Sequence, residues 1–401
     1  AVVYDVGIRS EPEGRTGFAH LFEHLMFQGS ENLEKLAHFR YVQSSGGTFN
    51  GSTHLDYTDY YEMLPSNALE RALFLEADRM RAPRITEENL LNQIEVVKQE
   101  IRVNVLNRPY GGFPWLKLPP VMFDTFPNAH DGYGSFEDLE SATVENAADF
   151  FSTYYAASNA VLAIAGDLDV AEATRLVERH FGDIEARPAP PRPSFGEPDP
   201  TAERRSEYTD SYAPLPAVAS CWRVPDPIGD LKAYLPYVVL AEVLTDGDAS
   251  RLQQRLVLED RSATSVGGYI GFMGEPFEVR DPTALLLQAH LPPDGDVDKV
   301  LLAVDEELDR LGSEGLDVGE LERVAARIGT HLLRDVDSVL GRTLQMAVVE
   351  QQRGGNGPGA NLVNDLPKLI GEVSADEVVA AAAALKPQRR ASVEVIPGGK
   401  Q

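Results

Sequence analysis

A proline-rich segment near the middle of the chain sets the strongest limit on how this sequence can fold. Five prolines fall within residues 187–198 of the 401-residue chain. Proline lacks a backbone donor and fixes φ, so neither a helix nor a central strand is expected to run through this segment. Such a segment should be stiff and extended. The sequence therefore predicts an N-terminal domain at 1–190, a linker at 191–204 and a C-terminal domain at 205–401.

Each half combines strand patterns with helix patterns, without the strict alternation of a parallel α/β fold. Alternating or continuous apolar runs predict strands at 2–6, 48–54, 161–164, 217–222, 265–270, 284–290 and 390–396. Helical spacing predicts helices at 68–81, 87–106, 147–155, 170–181, 231–244, 298–311, 316–333 and 375–385. The element order is similar in the two halves, which suggests an old duplication. We therefore expect an α+β fold with two similar domains.

The composition argues against several classes of function. The formal net charge of −27 disfavours nucleic acid or an anionic membrane as a partner, since both attract clustered Lys and Arg. Cys221 is the single cysteine, so an intrachain disulfide and a cysteine-based metal site are excluded. No run of 18 apolar residues predicts a membrane span. The chain opens at Ala1 in what resembles the middle of a strand, so we expect the true N-terminus to be missing. Cytoplasm and periplasm both stay open as the compartment.

Residues 16–27 carry the most specific chemistry in the sequence. They contain no proline and are followed by Gly29, so a short helix is predicted. His20 and His24 are four residues apart and therefore share one helix face. Two imidazoles on a rigid element suit Zn²⁺, which binds His at about 2.0–2.1 Å. Glu23 lies close enough to hold a water molecule beside such an ion without being a ligand.

A polar helix face without metal is the alternative interpretation of this pattern. The rest of the predicted helix makes that alternative costly, because its other side chains are almost all apolar: Phe18, Leu21, Phe22, Leu25, Met26 and Phe27. Ionisable groups in such surroundings are poorly solvated unless a metal or a partner compensates. The sequence therefore favours a metal site. The remaining histidines show no ligand spacing.

A catalytic zinc site needs a third protein ligand, which must come from elsewhere in the chain. The predicted helix 87–106 offers Glu100 at the edge of its apolar stripe, and Glu95 on the same helix competes with it. Asp56, near the predicted strand 48–54, is a further alternative. Gln93 lies two turns before Glu100 on the same face and could donate a hydrogen bond to a ligand. The residues alone do not choose among the three acids.

The sequence resembles the pitrilysin-like zinc metallopeptidases, the inverzincins, which include insulin-degrading enzyme and the mitochondrial processing peptidase. The bacterial two-domain members are the most similar type. The family's His-x-x-Glu-His motif matches residues 20–24, and its distant Glu matches Glu100, 76 positions after His24 (100 − 24). Other similar stretches are 46–50, 107–111, 165–167 and 250–252. The resemblance implies that His20, His24 and Glu100 bind Zn²⁺ and that Glu23 is the general base activating a zinc-bound water.

The resemblance also implies an architecture and a mode of substrate binding. Each domain should hold a mixed, mostly antiparallel sheet covered by helices on one face, and the two should form half of a clamshell. The N-terminal domain would be catalytic, and the C-terminal domain would be homologous without metal. Asn50, Gly51, Ser52 and Thr53 would form an edge strand beside the zinc, where a peptide or small unfolded protein adds as a further strand. For Asn50, an ordinary turn position is the alternative.

The sequence departs from the family in one place. Active members often carry an Arg followed seven residues later by a Tyr, a pair that binds the substrate carbonyl. Residues 252–265 hold no such pair: Arg251, Arg255 and Arg261 are followed at that distance by other residue types. We therefore expect a dimer in which a homologous partner supplies the pair across an enclosed chamber, a heterodimer rather than a homodimer.

Two other functions compete with the endopeptidase interpretation. A non-catalytic assembly or core subunit of the same family would usually lack part of the zinc set, whereas this sequence retains all four residues. A module that binds metal or peptide without turnover would bind zinc and show no cleavage. Zinc content compared with hydrolysis distinguishes the three.

Overall fold

The computed structural model describes residues 1–192, 194–273, 276–353 and 359–398. The strands are β1 Val2–Tyr4, β2 Thr48–Thr53, β3 Thr58–Met63, β4 Ala160–Leu162, β5 Arg204–Asp210, β6 Ala217–Arg223, β7 Ser265–Ile270, β8 Ala284–His290 and β9 Arg390–Pro397. The helices up to the proline-rich segment are α1 Phe18–Leu25, α2 Ala37–Ser44, α3 Leu69–Arg81, α4 Glu87–Ile101, α5 Pro119–Met122, α6 Phe126–Ala129, α7 Phe136–Glu140, α8 Val144–Tyr154 and α9 Val170–Phe181. Those after it are α10 Leu231–Thr245, α11 Val297–Glu314, α12 Val318–Asp335, α13 Val339–Arg353, α14 Leu362–Gly371 and α15 Ala375–Ala384. The expected α+β class is confirmed.

Short turns of other helix types complete the chain. The 3-10 turns are Ile8–Ser10, Ser66–Ala68, Ala157–Asn159, Gly359–Asn361 and Pro387–Arg389. Two segments, Arg102–Leu106 and Gln253–Glu259, have the wider π-helical hydrogen bonding. The helix predicted at 87–106 is therefore corrected: its α-helical part ends at Ile101, and the Asn107 amide donates to the Arg102 carbonyl at 2.8 Å.

The residues group into two compact units. The first comprises Ala1–Gln99, Asp131–Ser194 and Arg334–Val363, and the second comprises Glu100–His130, Phe195–Leu333 and Asn364–Gln401. The division falls inside α4, between Gln99 and Glu100. The predicted boundaries at 190 and 204 stay a prediction, and Pro193 of the predicted linker lies outside the described residues.

The first unit contains an antiparallel sheet with strand order β2-β3-β1-β4. The central β1 is fully buried, and its Val3 pairs with Asp59 on one side and with Val161 on the other. The helix α13 packs against this strand, because Ala347 and Val348 share a core cluster with Val3. Since β2 pairs with β3 on one side only in the strand order, it forms an edge of this sheet.

Aromatic side chains hold α1 against the sheet of the first unit. Phe22 of α1 contacts Tyr155 with ring centroids 5.4 Å apart, and Tyr155 contacts Tyr4 of β1 at 4.7 Å. All three are buried, and fully burying one such side chain typically contributes about 1.5–3 kcal/mol to stability. The packing therefore fixes the rotation of α1 about its axis and decides which residues face away from the core.

The second unit contains a five-stranded sheet with order β5-β9-β6-β8-β7. The β5–β9 pair is parallel and the other pairs are antiparallel. Cys221 lies on the buried β6, and burial raises the pKa of its thiol. Among the described helices, none combines the length and the apolar character needed to cross a bilayer.

Candidate metal centre

The N-terminus of α1 is held by a carboxylate from outside the helix. Gly17 precedes the helix with φ of 86°, and its position offers no side chain to cap the free amides. Glu11, which is buried, accepts hydrogen bonds from the Gly17 amide at 2.8 Å and from the Ala19 amide at 2.7 Å. A negative charge at this end also suits the helix dipole. Glu11 therefore anchors the helix that carries the histidine motif.

The apolar face of α1 leaves three ionisable side chains on the other side. Phe18, Leu21, Phe22 and Leu25 are buried, whereas His20, Glu23 and His24 are half-buried. The motif is therefore reachable from solvent, as a site that binds substrate requires. The Tyr133 ring meets the His20 ring edge to face with centroids 5.2 Å apart, a contact that no sequence pattern indicated.

The two imidazoles of α1 converge with a carboxylate from α4. The ligand atoms of His20, His24 and Glu100 all lie within 4.8 Å of one another, and the two Nε2 atoms are 3.3 Å apart. Two ligands of a tetrahedral zinc ion with Zn–N bonds of 2.0–2.1 Å should be separated by about 3.3–3.4 Å. Two His and one Glu also form a donor set found in catalytic zinc sites. The residues present therefore fit a zinc ion.

The two competing acids lie elsewhere. Glu95 is exposed and pairs with Lys98 at 2.6 Å. Asp56 is buried and accepts a hydrogen bond from Arg9 Nε at 2.9 Å. Gln93 is buried, and its amide group donates to Asn92 Oδ1 at 2.9 Å. Of the three acids that the residue pattern left open, the structure brings Glu100 to the two imidazoles.

The predicted substrate strand runs beside Glu23. Gly51 is buried, and an added Cβ at this position would lie 3.2 Å from Glu23 Cγ. The Thr53 hydroxyl donates to Glu23 Oε2 at 2.8 Å, and the Ser52 hydroxyl donates to Asp59 Oδ1 at 2.6 Å. Asn50 is exposed on the same strand. The four residues therefore do lie on an edge strand, and their role in binding substrate stays a prediction.

A second cluster of possible metal ligands lies within the first unit. The ligand atoms of His38, Glu62 and Glu76 are within 4.8 Å of one another, and His38 Nε2 lies 2.8 Å from Glu62 Oε1. Arg79 pairs with both oxygens of Glu76, its Nε donating at 2.9 Å. This guanidinium already neutralises Glu76 and would repel a divalent cation, so we do not assign a metal here. The three residues are far apart in sequence, and no spacing revealed them.

Burial shifts the ionisation of this second cluster. Desolvation raises the pKa of Glu62 to about 7, although the nearby Arg79 guanidinium partly opposes the shift. Desolvation and Arg79 together lower the pKa of His38 to about 3. Burial therefore shifts both groups toward their neutral forms, which lowers the cost of burying them beside the Glu76–Arg79 pair.

Two family models match the chain. The model described as Insulinase (Peptidase family M16) matches residues 1–109, and the model described as Peptidase M16 inactive domain matches residues 141–328. The first match contains the complete set His20, Glu23, His24 and Glu100.

Individual proteins are similar over different lengths. The zinc protease PqqE of Helicobacter pylori is 25% identical over 339 residues, which cover 84% of this chain and 74% of that protein. Subunit 1 of the human mitochondrial cytochrome b-c1 complex is 27% identical over 180 residues, 45% of this chain and 37% of that protein. The crystal structure of a protease from Helicobacter pylori is 23% identical with a TM-score of 0.87, covering 99% of this chain and 93% of that chain. That structure has the same fold.

Proposed function

The chain belongs to peptidase family M16, the pitrilysin-like peptidases, and from that premise we propose that it is a zinc-dependent endopeptidase. The observation that carries the proposal is the convergence of His20, His24 and Glu100, with Glu23 on the same helix face as the two imidazoles. Its substrates would be peptides or small unfolded proteins.

The residues of the site have separate chemical roles in this proposal. His20, His24 and Glu100 would hold the zinc ion, which when bound polarises the scissile carbonyl and acidifies a water molecule. Glu23 accepts a proton from the attacking water and returns it to the leaving amine, the work of a general base and then a general acid.

The edge strand β2 supplies the binding surface in this proposal. It pairs with β3 along its full length, from Thr48 opposite Met63 to Thr53 opposite Thr58. An extended peptide would add to the other side of β2 through backbone hydrogen bonds, which give affinity with little sequence preference. This mode agrees with substrates that are unfolded.

A partner subunit completes the proposed enzyme. Arg251 is committed to Glu307 at 3.3 Å and to Glu320 at 2.8 Å, and Arg255 is committed to Asp260 at 2.6 Å. Neither guanidinium is therefore available to bind a substrate carbonyl without breaking ion pairs. We propose that a homologous chain supplies the Arg and Tyr and closes the chamber, with a heterodimer favoured over a homodimer.

Metal content measured together with hydrolysis tests the proposal. Zinc is quantified in the native assembly and in Glu23→Gln, and cleavage of unfolded peptides is followed by mass spectrometry. We expect Glu23→Gln to keep zinc and to lose hydrolysis by about 10²- to 10⁴-fold, the usual contribution of a general base. The exposed Glu13→Gln is the matched control and should behave as the wild type. If the wild type binds zinc but cleaves no peptide, the proposed endopeptidase function is refuted.

The similarity to a cytochrome b-c1 subunit and to the inactive-domain model supports a second candidate, a non-catalytic assembly subunit. Such a subunit should contain no zinc, and Glu23→Gln should change nothing. Native mass determination of the complex from its source identifies the partner in either case.

A further inference from the structure

We infer that Thr53 is a positioning residue for Glu23, an inference that rests on the proposed peptidase function. The Thr53 hydroxyl donates a hydrogen bond of 2.8 Å to Glu23 Oε2. A carboxylate is acceptor-only when ionised, so the threonine hydroxyl must be the donor to that form of Glu23. The contact therefore ties one carboxylate oxygen of Glu23 to the end of β2.

The alternation of side chains along β2 places the hydroxyl where it is needed. Residues two apart on a strand face the same side, so Thr53 shares a face with Gly51. That face packs against α1, because a Cβ at Gly51 would lie 3.2 Å from Glu23 Cγ and 3.1 Å from the Tyr60 ring. Gly51 leaves room for the stem of Glu23, and Thr53 reaches its carboxylate.

The hydrogen bond selects one orientation of a flexible side chain. A glutamate has three rotatable side-chain bonds, and a base must be held close to its productive geometry for efficient proton transfer. With Oε2 held by Thr53, the carboxylate has a fixed orientation and still has free lone pairs that can accept a proton from the attacking water. The main effect of Thr53 should therefore fall on the chemical step rather than on the capture of substrate.

The side chain of Thr53 orients Glu23, whereas the main chain of β2 would bind the peptide, so the two roles can be separated. A peptide added to β2 would bond to main-chain N–H and C=O groups, which both threonine and valine provide. Replacing the Thr53 side chain with another β-branched one leaves those groups in place. Side-chain variants at this position can therefore distinguish orientation of Glu23 from binding of substrate.

The kinetic test compares Thr53→Val, which keeps the branched shape, with Thr53→Ser, which keeps the hydroxyl. In the native assembly we expect Thr53→Val to lower kcat about tenfold or more with KM within about twofold, and Thr53→Ser to recover most of kcat. Zinc content should stay at the wild-type level in both. Thr209→Val, an exposed threonine on β5, is the matched control and should have no effect. Wild-type kcat in Thr53→Val, or failure of the serine to rescue it, would overturn the inference.

A second measurement does not depend on hydrolysis. Unfolding midpoints of the metal-free protein are compared in a cycle of Glu23→Ala, Thr53→Val and the double variant. If the two side chains interact, the double variant should lose less stability than the sum of the single variants. Strict additivity would refute the contact. If the wild type binds zinc and cleaves nothing, the proposed function fails, while this cycle still decides the Thr53–Glu23 interaction.

Discussion

The Nε2 atoms of His20 and His24 lie 3.3 Å apart on one face of α1, at the separation expected for two ligands of one tetrahedral ion. The four-residue spacing on one helix brings the two imidazoles side by side, and the Tyr133 ring packs against His20. Glu100 comes from a different helix, α4, so its place beside the imidazoles depends on tertiary packing. The third ligand is therefore the part of the centre that a single substitution tests best.

Replacing Glu100 by Gln should weaken zinc binding much more than replacing Glu95. Apparent binding energies of about 10–16 kcal/mol at structural zinc sites imply roughly 2.5–4 kcal/mol for each of four ligands, or about 10²- to 10³-fold in affinity. Glu95→Gln is the matched control because it changes the same residue type on the same helix, where Glu95 pairs with Lys98. Competition with a chromogenic chelator measures both affinities. Equal zinc affinities in Glu100→Gln and Glu95→Gln would show that Glu100 is not a zinc ligand.

Replacing the buried Glu11 by Gln should loosen α1. One oxygen becomes an amide group that can no longer accept from the Gly17 or Ala19 amide, so a buried backbone donor loses its partner. The expected cost is on the order of 2 kcal/mol, with faster hydrogen exchange at the first amides of α1. Urea unfolding and exchange followed by mass spectrometry measure it, with Glu13→Gln as the exposed control. Unchanged exchange in α1 would contradict the anchoring role.

Regular apolar patterns were sufficient to predict much of the fold. The predicted strands at 265–270 and 284–290 and the helix at 170–181 have the bounds of β7, β8 and α9. β3 was missed because Asp59 and Glu62 interrupt its apolar pattern. Both acids are nevertheless buried or nearly so. Each has a polar partner that makes burial tolerable: Ser52 donates to Asp59, and His38 lies against Glu62. These polar partners allow β3 to be buried with its acidic side chains, and the local apolar pattern could not reveal such a strand.

The candidate site shows the same limit. Helical spacing was enough to place His20, Glu23 and His24 on one face, because that relationship is local. The choice among Glu100, Glu95 and Asp56 required tertiary packing, and residue pattern alone left it open. The Thr53–Glu23 hydrogen bond spans 30 positions and arises only once β2 packs against α1. Long-range contacts of this kind carry no signature in one sequence.

A valine at Gly51 should impair hydrolysis without removing zinc. Its side chain would press on Glu23 Cγ and the Tyr60 ring, which lie 3.1–3.2 Å from the position of a Cβ. Such overpacking typically costs about 1–3 kcal/mol and would displace Glu23, while His20 and His24 stay in place. Gly267→Val on β7 is the control, because its Cβ would meet nothing closer than 3.6 Å. Full hydrolysis by Gly51→Val would show that Glu23 tolerates the shift.

The buried pair of His38 and Glu62 should make stability respond to pH in two opposite ways. Glu62 has a folded pKa of about 7 against an unfolded value of 4.5, so its contribution is present below pH 4.5 and is lost as the pH rises toward 7. His38 has a folded pKa of about 3 against 6.5, so its contribution is present above pH 6.5 and is lost as the pH falls toward 3. In the shared window the two dependences oppose each other.

Replacing either Glu62 or His38 should therefore reveal the pH dependence of stability that the other residue causes. Between pH 7 and 4.5, Glu62→Gln should lose stability on acidification relative to the wild type, whereas His38→Asn should gain it. Over this pH range each contribution changes by on the order of 3 kcal/mol, at 1.36 kcal/mol per pKa unit. Urea unfolding of both variants and of the exposed control Glu13→Gln, at the two ends of this range, measures the slopes. Parallel slopes in all three proteins would mean that Glu62 and His38 titrate in the folded state as they do in the unfolded chain.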